Sequence, residues 1–269
     1  MMRDRLLIGQ YYPTNSPIHR LDARGKILAT LFYMVALFVA QGWIAYAFMG
    51  LVFTAVLITA RLPLKSLLRG LKLIIFFCIL TLVMNSFYYP GETVLWQWHF
   101  LTLTLEGLIH GLLMAYRLLL LVAFASLLTL STVPLELTDG LERLMNPFKR
   151  IGVPAHEIAM MMSIALRFIP TISEEFDRIM LAQRARGSSL AQGNLAKRVA
   201  AMLPLLVPLF ASAFRRAAEL AEAMEAKCYR GGEGRTRFKV MQWQFKDTLY
   251  TGFFVLTLVA MITLRVLVW

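Results

Sequence analysis

Residues 155–187 read AHEIAMMMSIALRFIPTISEEFDRIMLAQRARG, and residues 195–231 read LAKRVAAMLPLLVPLFASAFRRAAELAEAMEAKCYRG. Each stretch predicts one long helix. Pro154 stands where the first begins and Gly187 where it stops. The first half of each is apolar and the second half charged. A helix of about thirty residues is about 45 Å long. The simplest expectation sinks both apolar halves into the membrane interface and sends both charged halves toward the cytosol. Pro170 should kink the first helix, and Pro204 and Pro208 lie inside the second. Glu174 with Arg178, and Arg215 with Glu219, are spaced to support each helix by i,i+4 pairing. Ala211, Ala218, Ala221 and Ala226 form a stripe of small residues, which predicts that the two helices cross and pack there.

Outward from this pair the chain turns apolar. It is 58% hydrophobic over 269 residues, with a mean hydropathy of +0.63. A soluble domain sits nearer half, and here the excess is clustered. Five segments predict membrane spans: about 27–40, which is short, then 44–60, 73–89, 105–130 and 248–268. Between the third and fourth lies an aromatic loop with Trp96, Trp98 and His99, which suits a membrane interface. A further amphipathic helix is expected over 135–150. The fold expected is all-α: a polytopic membrane protein of about five spans with a cytoplasmic three-helix domain holding two long crossing helices. The divisions are 1–130, 131–246 and 247–269.

The formal charge is +12. Five Lys and Arg fall in residues 1–26, four in 61–72 and seventeen in 131–247, with none in 41–43 or 90–104. Basic loops stay inside, so the N-terminus is expected in the cytoplasm and the C-terminus outside. The charge is explained by topology and anionic headgroups, and no nucleic-acid motif accompanies it. Residues 1–26 lack the apolar core of a cleaved signal peptide. Cys78 and Cys228 suggest no disulfide framework, and His19, His99, His110 and His156 are scattered, so no metal site is expected. Gly231-Gly232-Glu233-Gly234 lacks the Gly-Lys-Ser/Thr ending of a phosphate loop and follows a helix, so it reads as a link to the last span. No catalytic residue is proposed. Glu106, His110 and Arg117 are ionisable groups of the fourth span, but no acid in another span completes a proton relay.

The functional signal lies at the ends of the two long helices. One ends Ala185-Arg186-Gly187 and the other nears its end at Ala226-Lys227-Cys228. Cations favour helix C-termini, and Gly is the usual terminator, so either triplet alone needs no function. Repetition on two adjacent helices suggests more. Two cations on rigid tips would form a two-pronged plug for an acidic groove. Tips far apart, or pointing into lipid or the outer compartment, would rule out that linkage and the assignment built on it.

At these residues the sequence resembles the transmembrane (T) component of energy-coupling factor transporters. The resemblance rests on Ser16-Pro17-Ile18-His19-Arg20-Leu21-Asp22-Ala23-Arg24-Gly25-Lys26. It rests also on Ala165-Leu166-Arg167-Phe168-Ile169-Pro170 with Glu174-Glu175, on 182–187, and on Arg215-Arg216-Ala217 with 223–231. It runs over nearly the whole chain. It implies a non-catalytic subunit of the bacterial cell membrane. Such a subunit joins two cytoplasmic ABC-type ATPases, as a heterodimer, to a small membrane protein that binds the substrate. ATP would be bound by those partners, so no cofactor is expected on this chain. Ala185-Arg186-Gly187 and Ala226-Lys227-Cys228 would dock into the two ATPases. Arg167, Pro170, Glu174, Arg178, Arg215, Glu219, Ala218 and Ala221 would support the crossing and the coupling. Lys227 and Cys228 depart from the usual Arg and Gly; the charge is kept and the bidentate fork is lost. Residues 229–236 resemble versions that serve interchangeable vitamin-binding subunits, although the family spans vitamins and metal ions.

Three other readings compete. A secondary carrier uncoupled from ATPases needs ionisable or broken-helix features at the bilayer midplane, and these are scarce. A membrane-embedded enzyme needs clustered His or acidic residues. A scaffold without transport would show no ATP-dependent uptake with its partners present.

Overall fold

A computed structural model describes residues 11–89, 93–98, 101–187, 195–229, 231 and 242–268. Its helices are α1 (Ala23–Val39), α2 (Gly42–Ala60), α3 (Leu64–Tyr88), α4 (Leu105–Ser131), α5 (Pro134–Met145), α6 (Ala155–Ala185), α7 (Leu195–Ala226) and α8 (Phe245–Val268). A 3-10 turn, Asn146–Ile151, follows α5. The chain forms two compact units. One spans Gly9–Leu144 and Val240–Trp269, and the other contains Met145–Lys239. The break therefore falls at the end of α5. Gly140 of α5 packs on the first turn of α1, where an added Cβ would lie 3.0 Å from that of Ala23.

In the first unit α2, α3, α4 and α8 are long and apolar enough to cross a membrane. At 17 residues, α1 is about 25 Å long and sits at the low end of spanning length. The architecture is that of an all-α polytopic membrane protein. Its core draws on α1, α2, α4 and α8, with aromatic rings at its centre. Tyr33 of α1 stacks on Phe124 of α4 at 4.0 Å between centroids, and Phe254 of α8 meets Phe124 edge-on at 5.5 Å. The Tyr33 hydroxyl, buried in apolar surroundings, donates to the Met49 carbonyl at 3.0 Å, which removes the cost of an unpaired polar group there.

The end of this unit where α1 and α8 begin is held by polar contacts. Asp22 caps α1, accepting from the Arg24 backbone N–H at 2.9 Å and pairing with the Arg24 guanidinium at 2.8 Å. Burial acts to raise the Asp22 carboxyl, but the Arg24 bonds and charge outweigh it and hold the group below the usual carboxylate range. Arg24 lies over the Trp243 ring. Asp247, in the first turn of α8, is 2% exposed. One of its oxygens accepts from the Gln244 N–H and the other from the Asp22 N–H, both at 2.8 Å. The first bond is half of a capping box. The second carries the same carboxylate to the start of another helix. Lys26, 3% exposed, donates to the carbonyls of His19 and Ser131, each at 3.2 Å. His19 is fixed by the Ser16 hydroxyl at 2.6 Å. Burial lowers its imidazole, against a raising hydrogen bond to the Tyr12 carbonyl. Thus α1 and α8 start together, where α4 ends.

The opposite end holds a feature the sequence reading missed. Residues expected as an aromatic loop form an antiparallel hairpin, β1 (Val94–Trp98) and β2 (Leu101–Thr104), with Trp98 opposite Leu101. Aromatic and β-branched residues favour that state; His99 lies outside the described residues. Thr104 then caps α4, accepting from the Gly107 N–H at 3.1 Å. Gly107 and Gly111 form a small-xxx-small pair that seats α4 on α3. A Cβ at Gly111 would lie 3.0 Å from the Leu82 carbonyl, and one at Gly107 2.9 Å from that of Asn85. Glu106 and His110 take separate partners, Thr93 at 2.6 Å and Asn85 at 3.3 Å.

Candidate functional site

The second unit contains α6 and α7, and both helices continue through their internal prolines. Two contacts fix their mutual direction. Arg216 of α7 pairs with Glu175 of α6 at 3.1 Å, and the Tyr229 hydroxyl donates to the Met160 sulfur at 3.0 Å. Contact positions on α7 rise as those on α6 fall, so the helices run antiparallel.

This overturns the expectation that both apolar halves lie at one end. Each apolar half lies beside the charged half of its neighbour. The tips are also apart. From the 175–216 pair, Ala185 is ten residues along one helix and Ala226 ten along the other, in opposite directions. At 1.5 Å per residue the tips are about 30 Å apart. The expectation of two tips held close together is therefore overturned: they form two separate points, and only a linkage with one partner at each point remains open.

The two tips share one local form. In α7, Ala226 is the last helical residue, Lys227 follows, and Cys228 takes the left-handed conformation at φ 55°. The Cys228 N–H donates to the Glu225 carbonyl at 2.8 Å, and the Tyr229 N–H to that of Met224 at 3.0 Å. These are the two bonds of a Schellman cap. In α6, Ala185 is last, Arg186 is the C-cap, and Gly187 is left-handed at φ 80°. Its N–H donates to the Arg184 carbonyl at 3.0 Å, the corresponding bond of the same motif. Ala185-Arg186-Gly187 and Ala226-Lys227-Cys228 thus occupy identical cap positions. All six residues are exposed. Each cap finishes its helix and leaves an exposed cation at the negative end of the helix dipole.

Cys228 holds a conformation that Gly adopts without steric cost and other residues adopt at about 1 kcal/mol or more. Cys228→Gly is expected to strengthen the α7 cap by about 1 kcal/mol, slowing local amide exchange over 224–229 about fivefold. Gly187→Ala should loosen the α6 tip by a similar amount. An added Cβ there meets nothing within 4 Å, so the effect is purely conformational. Hydrogen exchange read peptide by peptide would decide both, and unchanged rates would refute the shared cap.

The residues expected at the crossing lie elsewhere. Arg167, Pro170, Glu174, Arg178, Arg215, Glu219, Ala218 and Ala221 are all exposed, as are Ala211 and Ala226. The inward face of α7 runs through Leu205, Leu209, Ser212, Ala213, Arg216, Leu220 and Met224. The Arg216–Glu175 ion pair lies on this less exposed face, and the small-residue stripe lies on the exposed one. Continuous with that stripe are Leu203, Val207, Phe210 and Phe214, which share the exposed face of α7 at helical spacing. Among the described residues no group of three or more His, Cys, Asp or Glu could hold a metal ion.

The model of the CbiQ family, described as cobalt transport protein, matches residues 14–238. Several relatives carry the name energy-coupling factor transporter transmembrane protein EcfT. That of Acidaminococcus fermentans is 53% identical over 254 residues, covering 94% of each chain. That of Thermosediminibacter oceani is 52% identical over 242 residues, covering 90% of this chain and 91% of its own. The Listeria innocua protein is 44% identical over 247 residues, covering 92% and 93%. With four long apolar helices, two matched cationic caps and relatives of this kind along its length, the chain belongs to the family of energy-coupling factor transporter transmembrane (T) components.

Proposed function

We propose that this chain is the coupling subunit of an ATP-driven importer, taking force from two ABC-type ATPases and passing it to a substrate-binding membrane subunit. The single observation that carries this reading is the pair of matched caps, each exposing a cation. Arg186 would enter an acidic groove of one ATPase and Lys227 that of the other. Two points about 30 Å apart suit a two-subunit engine better than a single socket, because closure of the ATPase pair then changes the distance between them. The Arg216–Glu175 pair holds α6 and α7 together, so displacement at the tips rotates the helices as rods. The apolar face of α7, with Val207, Phe210 and Phe214, is the surface on which the substrate-binding subunit would rest and be tilted. ATP is held by the partners.

In this reading α1 and α8 begin at the cytoplasmic face, where the basic segments 1–26 and 61–72 also lie. The C-terminus then emerges outside. A vitamin is the favoured cargo class; of the 229–236 segment behind that preference, only Tyr229 and Gly231 are among the described residues. The test is reconstitution. The chain, co-expressed with candidate ATPases and a substrate-binding subunit, should co-purify with them and support uptake only when ATP is supplied. Uptake by the chain alone, without ATP, would establish a secondary carrier instead.

A further inference from the structure

Arg117 lies near the middle of α4, twelve residues from its start and fourteen from its end, about 18 and 21 Å along the axis. Neither lipid–water boundary is within reach of a side chain that extends only about 7 Å, so full snorkelling is not open to it. Its guanidinium sits over the Phe38 ring of α1 at 4.4 Å. Its Nε is buried with no hydrogen-bond partner among the described residues. The apolar helices hold two carboxylates, Glu106 and Asp247. The first accepts from Thr93 and the second from the starts of α1 and α8, so neither is available. A charge at this depth is costly unless it is paired, and a cation–π contact with one Phe ring offsets only part of that cost.

The surroundings show where a partner would come from. Leu31, Val35 and Phe38 form an outward stripe on α1, with Phe38 63% exposed. An exposed apolar stripe beside a guanidinium whose buried Nε lacks a partner suits an interface in which a single polar contact fixes register and apolar neighbours exclude water. A lipid phosphate would have to descend about 15 Å from its plane to serve, so an acceptor carried on a membrane helix fits better.

We infer that the Phe38–Arg117 site is an intramembrane docking point, at which Arg117 receives a carboxylate or unpaired carbonyl oxygen from a transmembrane helix of the substrate-binding subunit. This rests on the coupling reading above and adds to it a contact inside the bilayer. The test uses the assembled complex in lipid nanodiscs. Arg117→Leu should reduce retention of the substrate-binding subunit at least tenfold while both ATPases stay bound. Arg117→Lys, which keeps the charge and loses the fork, should fall between. Phe38 replaced by a photoreactive phenylalanine analogue, with Arg117 intact, should cross-link to a membrane helix of the substrate-binding subunit. Full retention in Arg117→Leu, or cross-links to lipid only, would overturn the inference. Loss of the ATPases from the unmodified complex would instead defeat the coupling reading.

Discussion

Arg186→Glu combined with Lys227→Glu is expected to abolish ATP-dependent uptake and release the ATPases, while the chain still inserts into the membrane. Each cation is exposed on a capped helix end, and in an acidic groove it would make a charge-assisted bond. Losing one such bond costs about 1.5–3 kcal/mol, and reversal adds repulsion, so each single variant should weaken its own attachment about a hundredfold. Because the tips lie at opposite ends of the pair, the two losses should be nearly additive. A single plug would instead lose everything with either change. Lys227→Arg restores the fork and should tighten the second contact. Quantitative co-purification and uptake in proteoliposomes measure these effects, and normal transport by the double variant would refute docking through the tips.

Asp247→Ala is expected to be among the most damaging changes for the fold. The carboxylate is buried, and it satisfies two backbone N–H groups on two helices. Removing it leaves both donors without an acceptor, at about 1–3 kcal/mol each. It also takes a negative charge from the neighbourhood of buried Lys26. The combined loss of about 2–6 kcal/mol corresponds to a melting temperature lower by about 10 °C in a protein of this size. Asp247→Asn keeps one acceptor oxygen and should lose roughly half as much. Thermal unfolding of the solubilised protein decides the point, and an unshifted Ala variant would show that the two helix starts do not depend on this group.

The spans were legible because apolar runs of that length have few other uses, and the caps because a cation followed by Gly ends helices for known reasons. Cys228 shows that the position matters more than the residue, since it adopts the glycine conformation at the same place. Helix direction was not legible. Periodicity says which side chains share a face, not which way a neighbour runs. The small-residue stripe misled for a related reason. Close approach is one way to pack helices, but the less exposed face of α7 carries Leu205, Leu209 and Leu220 instead, and Arg216, which reads as a surface residue, pairs with Glu175. Gly107-xxx-Gly111 was in plain view as a pair, and Gln244-to-Asp247 carried the spacing of a reciprocal cap. The second bond of Asp247 depends on a residue 225 positions away, which no local pattern reveals.

That separation sets a schedule for biogenesis. Translation at about 5–20 residues per second needs about 11–45 s to cover the 225 positions between Asp22 and Asp247. For that interval the first helix waits in the bilayer without the acceptor its leading N–H will take. A helix made late fastens one made early, so a nascent chain cut short before residue 247 should be a ready target for membrane quality-control proteases.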